Sequence, residues 1–193
     1  MEATARPLPQ RQRRLPLARP RWARDGVFLV TLLAVLALDQ VSKAVIQAVL
    51  PEGASVVLTP FLRLTHITNT GSAFGLFQGY TLFLIVASVV GLVVLILFYR
   101  QNRNAHPLVR LCIGLMVGGA LGNLIDRVRL GYVVDFVDLG WWPVFNLADS
   151  AIVVGISGLV VAFLAAQSRG HRRVVVRPLP PQRFRRPPSE VGC

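Results

Sequence analysis

Long apolar runs alternate with short polar segments along this chain of 193 residues, 53% of which are hydrophobic. The mean hydropathy is +0.56, which is high for a soluble domain. A helix needs about 20 apolar residues to cross the roughly 30 Å hydrocarbon core of a bilayer. Four runs reach that length, at residues 27–46, 80–99, 108–128 and 147–167. The pattern therefore predicts an all-α membrane protein, a bundle of four transmembrane helices.

The first run also has features of a cleaved signal peptide, because basic residues precede it and its end is rich in alanine. Two observations favour a retained helix. The apolar stretch continues past the possible cleavage point. Removal of the run would also leave three spans, with the termini on opposite sides of the membrane and in conflict with the charge distribution.

Basic residues are concentrated in three segments of a chain whose formal net charge is +12. Seven arginines precede Val27, seven follow Gln167, and three flank the connection between the second and third spans. Since cytoplasmic segments are enriched in Lys and Arg, both termini and this connection are predicted to be cytoplasmic. Such segregation argues against a nucleic-acid-binding surface.

The chain is accordingly divided into three parts. A membrane domain is predicted at residues 26–168. The tails at 1–25 and 169–193 combine arginine with proline and are predicted to be disordered. Their charge is sufficient to orient the protein, and docking on anionic lipid headgroups is the more specific alternative.

The two segments predicted on the outer side, residues 47–79 and 129–146, differ in character. β-branched and aromatic residues at 56–59 and 61–68 predict one or two short strands, interrupted by Pro60. Glycines and small residues at 69–75 predict a turn. We therefore expect a small β platform on the outer membrane face.

Cysteine and histidine usage gives no sign of a disulfide or a metal site. Cys112 lies inside an apolar run and Cys193 is the last residue, so neither has a plausible partner. The three histidines have no zinc-binding spacing with one another or with cysteine. No metal or other cofactor is therefore predicted.

The third span carries small and polar residues at intervals of four. One face holds Gly114, Gly118, Gly122 and Asp126, and the neighbouring face holds Gly119, Asn123 and Arg127. Small residues at this spacing let helices approach closely, and buried polar groups need partners. The pattern predicts tight packing along the span and a polar chamber at its outer end. In the first span, Asp39 and Lys43 are four residues apart and can form an ion pair, for which structural and substrate-positioning roles remain open.

Five acidic residues lie near the predicted outer face, and spacing alone does not choose among them: Asp39, Asp126, Asp135, Asp138 and Asp149. Asp149 falls in the first turn of the fourth helix, with Asn146 as a candidate N-cap. Asp135 follows two valines in an extended stretch. Two carboxylates that meet would share a proton and could activate a water. Alternatively, Asp149 is only a helix-start residue and Asp135 a solvated loop charge.

Taken in order, five motifs over roughly residues 26–168 resemble the bacterial lipoprotein signal peptidase family, signal peptidase II. They comprise the segment from Asp39 to Lys43, the glycine-containing segment 69–75, the segment 118–127 ending in Asp126 and Arg127, the Val-Val-Asp-Phe run around Asp135, and Phe-Asn-Leu-Ala-Asp-Ser from 145 to 150. Each motif alone is moderate evidence. All five on a frame of four spans are strong evidence.

The resemblance implies an aspartic endopeptidase of the bacterial cytoplasmic membrane, expected to act as a monomer and to be inhibited by the cyclic peptide globomycin. Its substrates would be prolipoproteins, cleaved on the amino side of a cysteine that carries diacylglyceryl. By this resemblance Asp135 and Asp149 are the catalytic dyad. The resemblance implies substrate-binding or supporting roles for seven further residues: Asn69, Gly71, Asn123, Arg127, Asn146, Asp39 and Lys43. The short loop between the dyad members and the long tails depart from the family pattern.

Two other classes of function are considered beside the peptidase. A small transporter or proton channel would also contain Asp, Asn and Arg within the membrane. Against it, the acidic residues cluster at one face rather than along a path. A membrane scaffold packed through the glycines would leave Asn123, Arg127 and the two aspartates unexplained.

Overall fold

The computed structural model describes residues 21–71, 80–102 and 106–171, with side chains described for 25–71, 80–102 and 106–168. Most of the two arginine-rich tails lies outside the described residues, as does most of the glycine-containing turn after Gly71. The proposed domain boundaries at 26 and 168 each fall inside a helix.

Four long helices form the body of the protein, as the apolar runs predicted. They are α1 (Arg21–Val49), α2 (Thr81–Gln101), α3 (Pro107–Leu130) and α4 (Leu147–His171). All four are long and apolar enough to span a membrane. Because α1 packs along α3 and supplies buried polar side chains to it, the structure favours a retained first span over a cleaved signal peptide.

Helix α3 is the centre of the bundle, and the other three helices pack against it. Its glycines allow this close packing. A Cβ atom at Gly118 would lie 2.8 Å from the carbonyl oxygen of Leu32 in α1, and Gly114 meets α1 in the same way. A Cβ atom at Gly119 would overlap the carbonyl oxygen of Ala148 in α4. The predicted glycine face is thus confirmed as a packing surface.

A three-stranded antiparallel sheet accompanies the helices. Its strands are β1 (Ser55–Thr59), β2 (Leu62–Asn69) and β3 (Val133–Asp138), in the order β1-β2-β3. The two predicted strands are confirmed. The third forms from the extended stretch around Asp135, which pairs with Ile67 of β2. This pairing joins the segment after α3 to the segment after α1.

One face of the sheet packs on the end of α1. Ile46 of α1 forms a buried cluster with Val134 and Phe136 of β3, against which Leu50 and Leu64 pack. The sheet therefore lies across the end of α1, and this contact positions Asp135 beside the start of α4.

Candidate active site

Asp135 is held in the middle of β3 by two amide side chains. Only 3% of the surface of Asp135 is exposed. The Nδ2 group of Asn69 donates to its Oδ2 over 2.9 Å, and the Nδ2 group of Asn146 donates to its Oδ1 over 2.7 Å. Rather than being a solvated loop charge, Asp135 is a buried carboxyl with both oxygens engaged.

Burial raises the pKa of Asp135 to about 6. The hydrogen bonds from Asn69 and Asn146 lower this pKa, whereas the like charge of Asp149 raises it further. Desolvation disfavours the charged form of a carboxyl, and a neighbouring carboxylate adds to that effect. Asp135 can therefore gain or lose a proton near neutral pH.

Asp149 and Asn146 cap the start of α4 reciprocally. The main-chain N–H of Asp149 donates to Asn146 Oδ1 over 3.0 Å, and the N–H of Asn146 donates to Asp149 Oδ2 over 3.3 Å. The predicted N-cap is confirmed. Asn123 of α3 donates from Nδ2 to Asp149 Oδ1 over 2.8 Å. Since Asn146 also donates to Asp135, it bridges the two carboxyl groups.

The amide of Asn123 has its orientation set by its neighbours. Its Oδ1 accepts from Lys43 Nζ over 2.9 Å and from Asn146 Nδ2 over 3.1 Å. Ammonium and amide N–H groups can only donate, so the Nδ2 of Asn123 must point at Asp149. A fixed chain of donors therefore runs from Lys43 through Asn123 to Asp149.

Behind Asn123 lies a buried ionic cluster, made by Lys43 with Asp39 and Asp126. The ammonium of Lys43 is 2.9 Å from Asp39 Oδ2 and 2.8 Å from Asp126 Oδ2. The predicted Asp39–Lys43 pair is confirmed. The pairing with Asp126 was not predicted, because it joins different helices. Gln40, also missed by sequence reasoning, donates to Asp126 Oδ1 over 2.9 Å.

Arg127 fixes the main chain next to Asn69. Its Nη2 group donates to the carbonyl oxygen of Gly71 over 3.1 Å. The N–H of Gly71 donates to Asn69 Oδ1 over 2.9 Å, which points the Nδ2 of Asn69 towards Asp135. Arg127 and Gly71 thus hold the segment that carries Asn69.

A cavity of about 990 Å³ opens onto both aspartates. Its polar lining includes the predicted residues Asn69, Asn123, Arg127, Asp135 and Asp149. Four other predicted residues do not line the cavity and instead support the residues that do: Asp39, Lys43, Gly71 and Asn146. Sequence reasoning did not assign the apolar wall: Ile67, Trp142, Phe145, Ile152, Val153 and Val154.

The remaining rival, Asp138, is the last residue of β3. Its Oδ2 lies 3.0 Å from Arg63 Nε and accepts from Thr65, and its Oδ1 accepts from the N–H of Gly140 over 2.7 Å. The N–H of Gly140, more than the charge of Arg63, lowers the pKa of Asp138. Asp138 does not line the cavity.

Across the described ranges, no three His, Cys, Asp or Glu side chains gather in a way that could hold a metal ion. Cys112 is buried as a free thiol, and Cys193 lies outside the described residues.

Comparison with known proteins assigns the family. The family model described as signal peptidase (SPase) II matches residues 31–165, which include every residue of the site. The chain belongs to the signal peptidase II family. Family membership makes it a peptidase and a multi-pass bacterial membrane protein.

Curated relatives and solved structures agree with this assignment. The lipoprotein signal peptidase of Moorella thermoacetica is 48% identical over 130 residues, covering 67% of this chain and 87% of the relative. That of Syntrophomonas wolfei is 44% identical over 146 residues, covering 75% and 97%. A solved bacterial membrane enzyme superposes with a TM-score of 0.70 at 33% identity, covering 75% of this chain and 91% of that one. The fold predicted from the sequence is confirmed.

Proposed function

We propose that this protein is an aspartic endopeptidase that removes signal peptides from prolipoproteins by cleaving on the amino side of a diacylglyceryl-modified cysteine. The observation that carries the proposal is the convergence of Asp135 and Asp149 on Asn146 at the polar end of one cavity. The residues that sequence motifs nominate for a dyad are thus the acidic residues that line the cavity.

In the proposed reaction the two carboxyl groups share one proton. The raised pKa of Asp135 favours the protonated form of that group. Asp149 lies at the start of α4, where the helix dipole favours an anion. Asp149 then takes a proton from the attacking water while Asp135 gives its proton to the oxygen of the scissile carbonyl. When the C–N bond of the tetrahedral intermediate breaks, Asp149 gives its proton to the leaving amine and Asp135 recovers its own. The chemistry requires only these two groups and water.

The cavity supports a substrate that is both peptide and lipid. At the end of the cavity that contains Asn69 and Arg127, hydrogen-bonding groups are available to an extended peptide. Three residues of α4 form an apolar wall: Ile152, Val153 and Val154. A diacylglyceryl group can lie along that wall while the adjacent amide meets the dyad. A free thiol in the same place would leave the apolar wall unfilled, so we propose that lipidation is required.

We further propose an orientation in the bacterial cytoplasmic membrane. The termini and the connection after α2 carry 17 arginines, and this enrichment supports a cytoplasmic position for them. The sheet and the cavity then face outwards, where the modified substrate is held in the outer leaflet. Globomycin is proposed to inhibit the protein by occupying this cavity.

Cleavage by the purified protein in detergent tests the proposal. A prolipoprotein carrying diacylglyceryl-cysteine should be cut before that cysteine, and globomycin should block the reaction. The same precursor without the lipid is the matched control and should remain uncut. Equal cleavage of both forms would contradict the proposed specificity.

Two further measurements separate the dyad from other mechanisms. A chelator should leave the rate unchanged, and loss of activity would point to a metal-dependent peptidase. Ion flux through liposomes that disappears in Asp135→Asn would favour the transporter or channel. No flux is expected above that of empty liposomes.

A further inference from the structure

The small sheet has two chemically different faces. On one, Arg63 pairs with Asp138, and Thr65 donates to Asp138 and contacts the hydroxyl of Ser55 over 2.7 Å. The other face carries Leu64, which packs on the cluster at the end of α1. The polar face points away from the helices, and the apolar face points towards them.

Strand β1 extends this apolar face beyond the helices. Val56 pairs with Leu64 and therefore points to the same side of the sheet. Within the described part of the chain, β1 packs against β2, and no helix makes a substantial contact with it. The β1–β2 hairpin accordingly overhangs the bundle.

The tip of this overhang is apolar and exposed. Leu58 is 53% exposed, and Phe61, in the turn, is 71% exposed. In water an aromatic and an aliphatic side chain at a hairpin tip would forgo the free energy gained by burial. Exposed apolar groups beside polar ones are typical of an interaction surface.

The position of the hairpin identifies what covers it. Helix α1 spans the membrane, and its last residue, Val49, is exposed like the lipid-facing residues before it. Residues 50–54 alone separate that helix end from β1. β1 therefore starts within a few residues of the end of a membrane-spanning helix, close to the bilayer interface, where aromatic residues are enriched.

A protein partner fits the same surface less well. Strand addition at the free edge of β1 would need a regular row of main-chain groups. The register shifts between Val57 and Thr59, and such a bulge disrupts edge-to-edge pairing. We propose that the tip of the β1–β2 hairpin, Leu58 and Phe61, inserts into the outer-leaflet interface and anchors the sheet to lipid.

Site-directed spin labelling of the full chain in liposomes of phosphatidylethanolamine and phosphatidylglycerol tests the anchor. Labels are attached at Leu58→Cys or Phe61→Cys in a Cys193→Ser background, in which the remaining Cys112 is buried. Collisions with oxygen, which partitions into lipid, are compared with collisions with a water-soluble nickel chelate. Val41→Cys on the exposed face of α1 and Glu52→Cys in the connection to β1 are the lipid and water references.

The expected oxygen-to-nickel ratio at both tip positions lies close to that of Val41→Cys and several-fold above that of Glu52→Cys. A ratio equal to that of Glu52→Cys would overturn the anchor. Low collision rates with both reagents, together with spin–spin broadening, would show contact with a second copy and also overturn it. Adding Phe61→Ser to the Leu58→Cys chain should lower the ratio at Leu58, and an unchanged ratio would contradict insertion of the tip as a unit. These results are independent of peptidase activity.

Discussion

Two pairs of aspartates lie side by side in this protein and are held by different kinds of neighbour. Asp39 and Asp126 share the ammonium of Lys43, which is within 3 Å of both. Asp135 and Asp149 are held by the amides of Asn69, Asn123 and Asn146 and by main-chain N–H. Among the described residues, no Lys or Arg nitrogen is within 4 Å of either carboxylate.

The difference fits the proposed division between structural and catalytic aspartates. A carboxylate that contacts a buried ammonium is bound in an ion pair, and breaking that pair is costly. Amides orient a carboxyl group without neutralising it, so a pair held by amides can share and move a proton. The ionic cluster also positions the proposed dyad, because Lys43 bonds to Asn123, which bonds to Asp149.

The largest expected effect follows from changing a dyad carboxyl to an amide. Asp135→Asn and Asp149→Asn should each reduce kcat for the lipidated precursor by roughly 10²–10⁴-fold or more, because each removes a proton-transfer group. Thermal unfolding should change little. The measurement is single-turnover cleavage in detergent.

Asp138→Asn is the matched control, since this residue lies on the same strand but outside the cavity. It should cleave at nearly the normal rate. Full activity in either dyad variant, or an equal loss in all three variants, would contradict a catalytic role that is specific to Asp135 and Asp149.

Removing the Lys43 ammonium should have the largest effect on the free energy of unfolding. Lys43→Met leaves Asp39 and Asp126 buried without a counter-ion, and breaking a buried pair in this way costs about 3–5 kcal/mol. Denaturant unfolding in detergent, followed by circular dichroism, measures the change.

The triple variant Asp39→Asn, Lys43→Met, Asp126→Asn removes all three charges and should recover much of the lost stability. If Lys43→Met alone unfolded like the unmodified chain, the cluster would not be an ionic structural unit.

A pH dependence of stability is expected from Asp135. Its pKa in the folded protein is about 6, above the 3.8 expected for this group in the unfolded chain. Between these values the folded form holds a proton that the unfolded form lacks, so rising pH favours unfolding. Stability should fall from about pH 4 to about pH 6 by no more than roughly 3 kcal/mol, and level off above.

The contribution is isolated by subtracting the profile of Asp135→Asn from that of the unmodified chain over this range. A difference that rises with pH would have the wrong sign for a buried, proton-sharing carboxyl.

The smallest expected effects on stability come from replacing single helix glycines with alanine. A Cβ atom at Gly122 would overlap Asp39 Oδ2, whereas one at Gly91 in α2 would meet nothing within 4 Å. Gly122→Ala should therefore cost about 1–3 kcal/mol through overpacking. Gly91→Ala should be neutral or stabilise the chain by up to about 1 kcal/mol. Equal thermal shifts in the two variants would argue against close packing at the ionic cluster.

Much of this architecture could be predicted from local patterns. Each apolar run has the length of one helix, Asp39 and Lys43 are one helical turn apart, and Asn146 stands three residues before Asp149. Such features depend on residues close in sequence, whose spacing translates directly into geometry. The third strand and the pairing of Lys43 with Asp126 depend on contacts between distant segments, and no local spacing encodes them.

The sequence by itself determined four membrane-length helices, the two longer segments between them and a set of five acidic residues, and its motifs nominated Asp135 and Asp149. Only the tertiary structure decided how these aspartates differ. Pairing of β3 with β2 buries Asp135 beside Asn69, and the packing of α1 on α3 brings Lys43 to Asp126. The reason is physical: whether a carboxyl exchanges protons depends on which cations and amides surround it, and those neighbours come from every element of the fold.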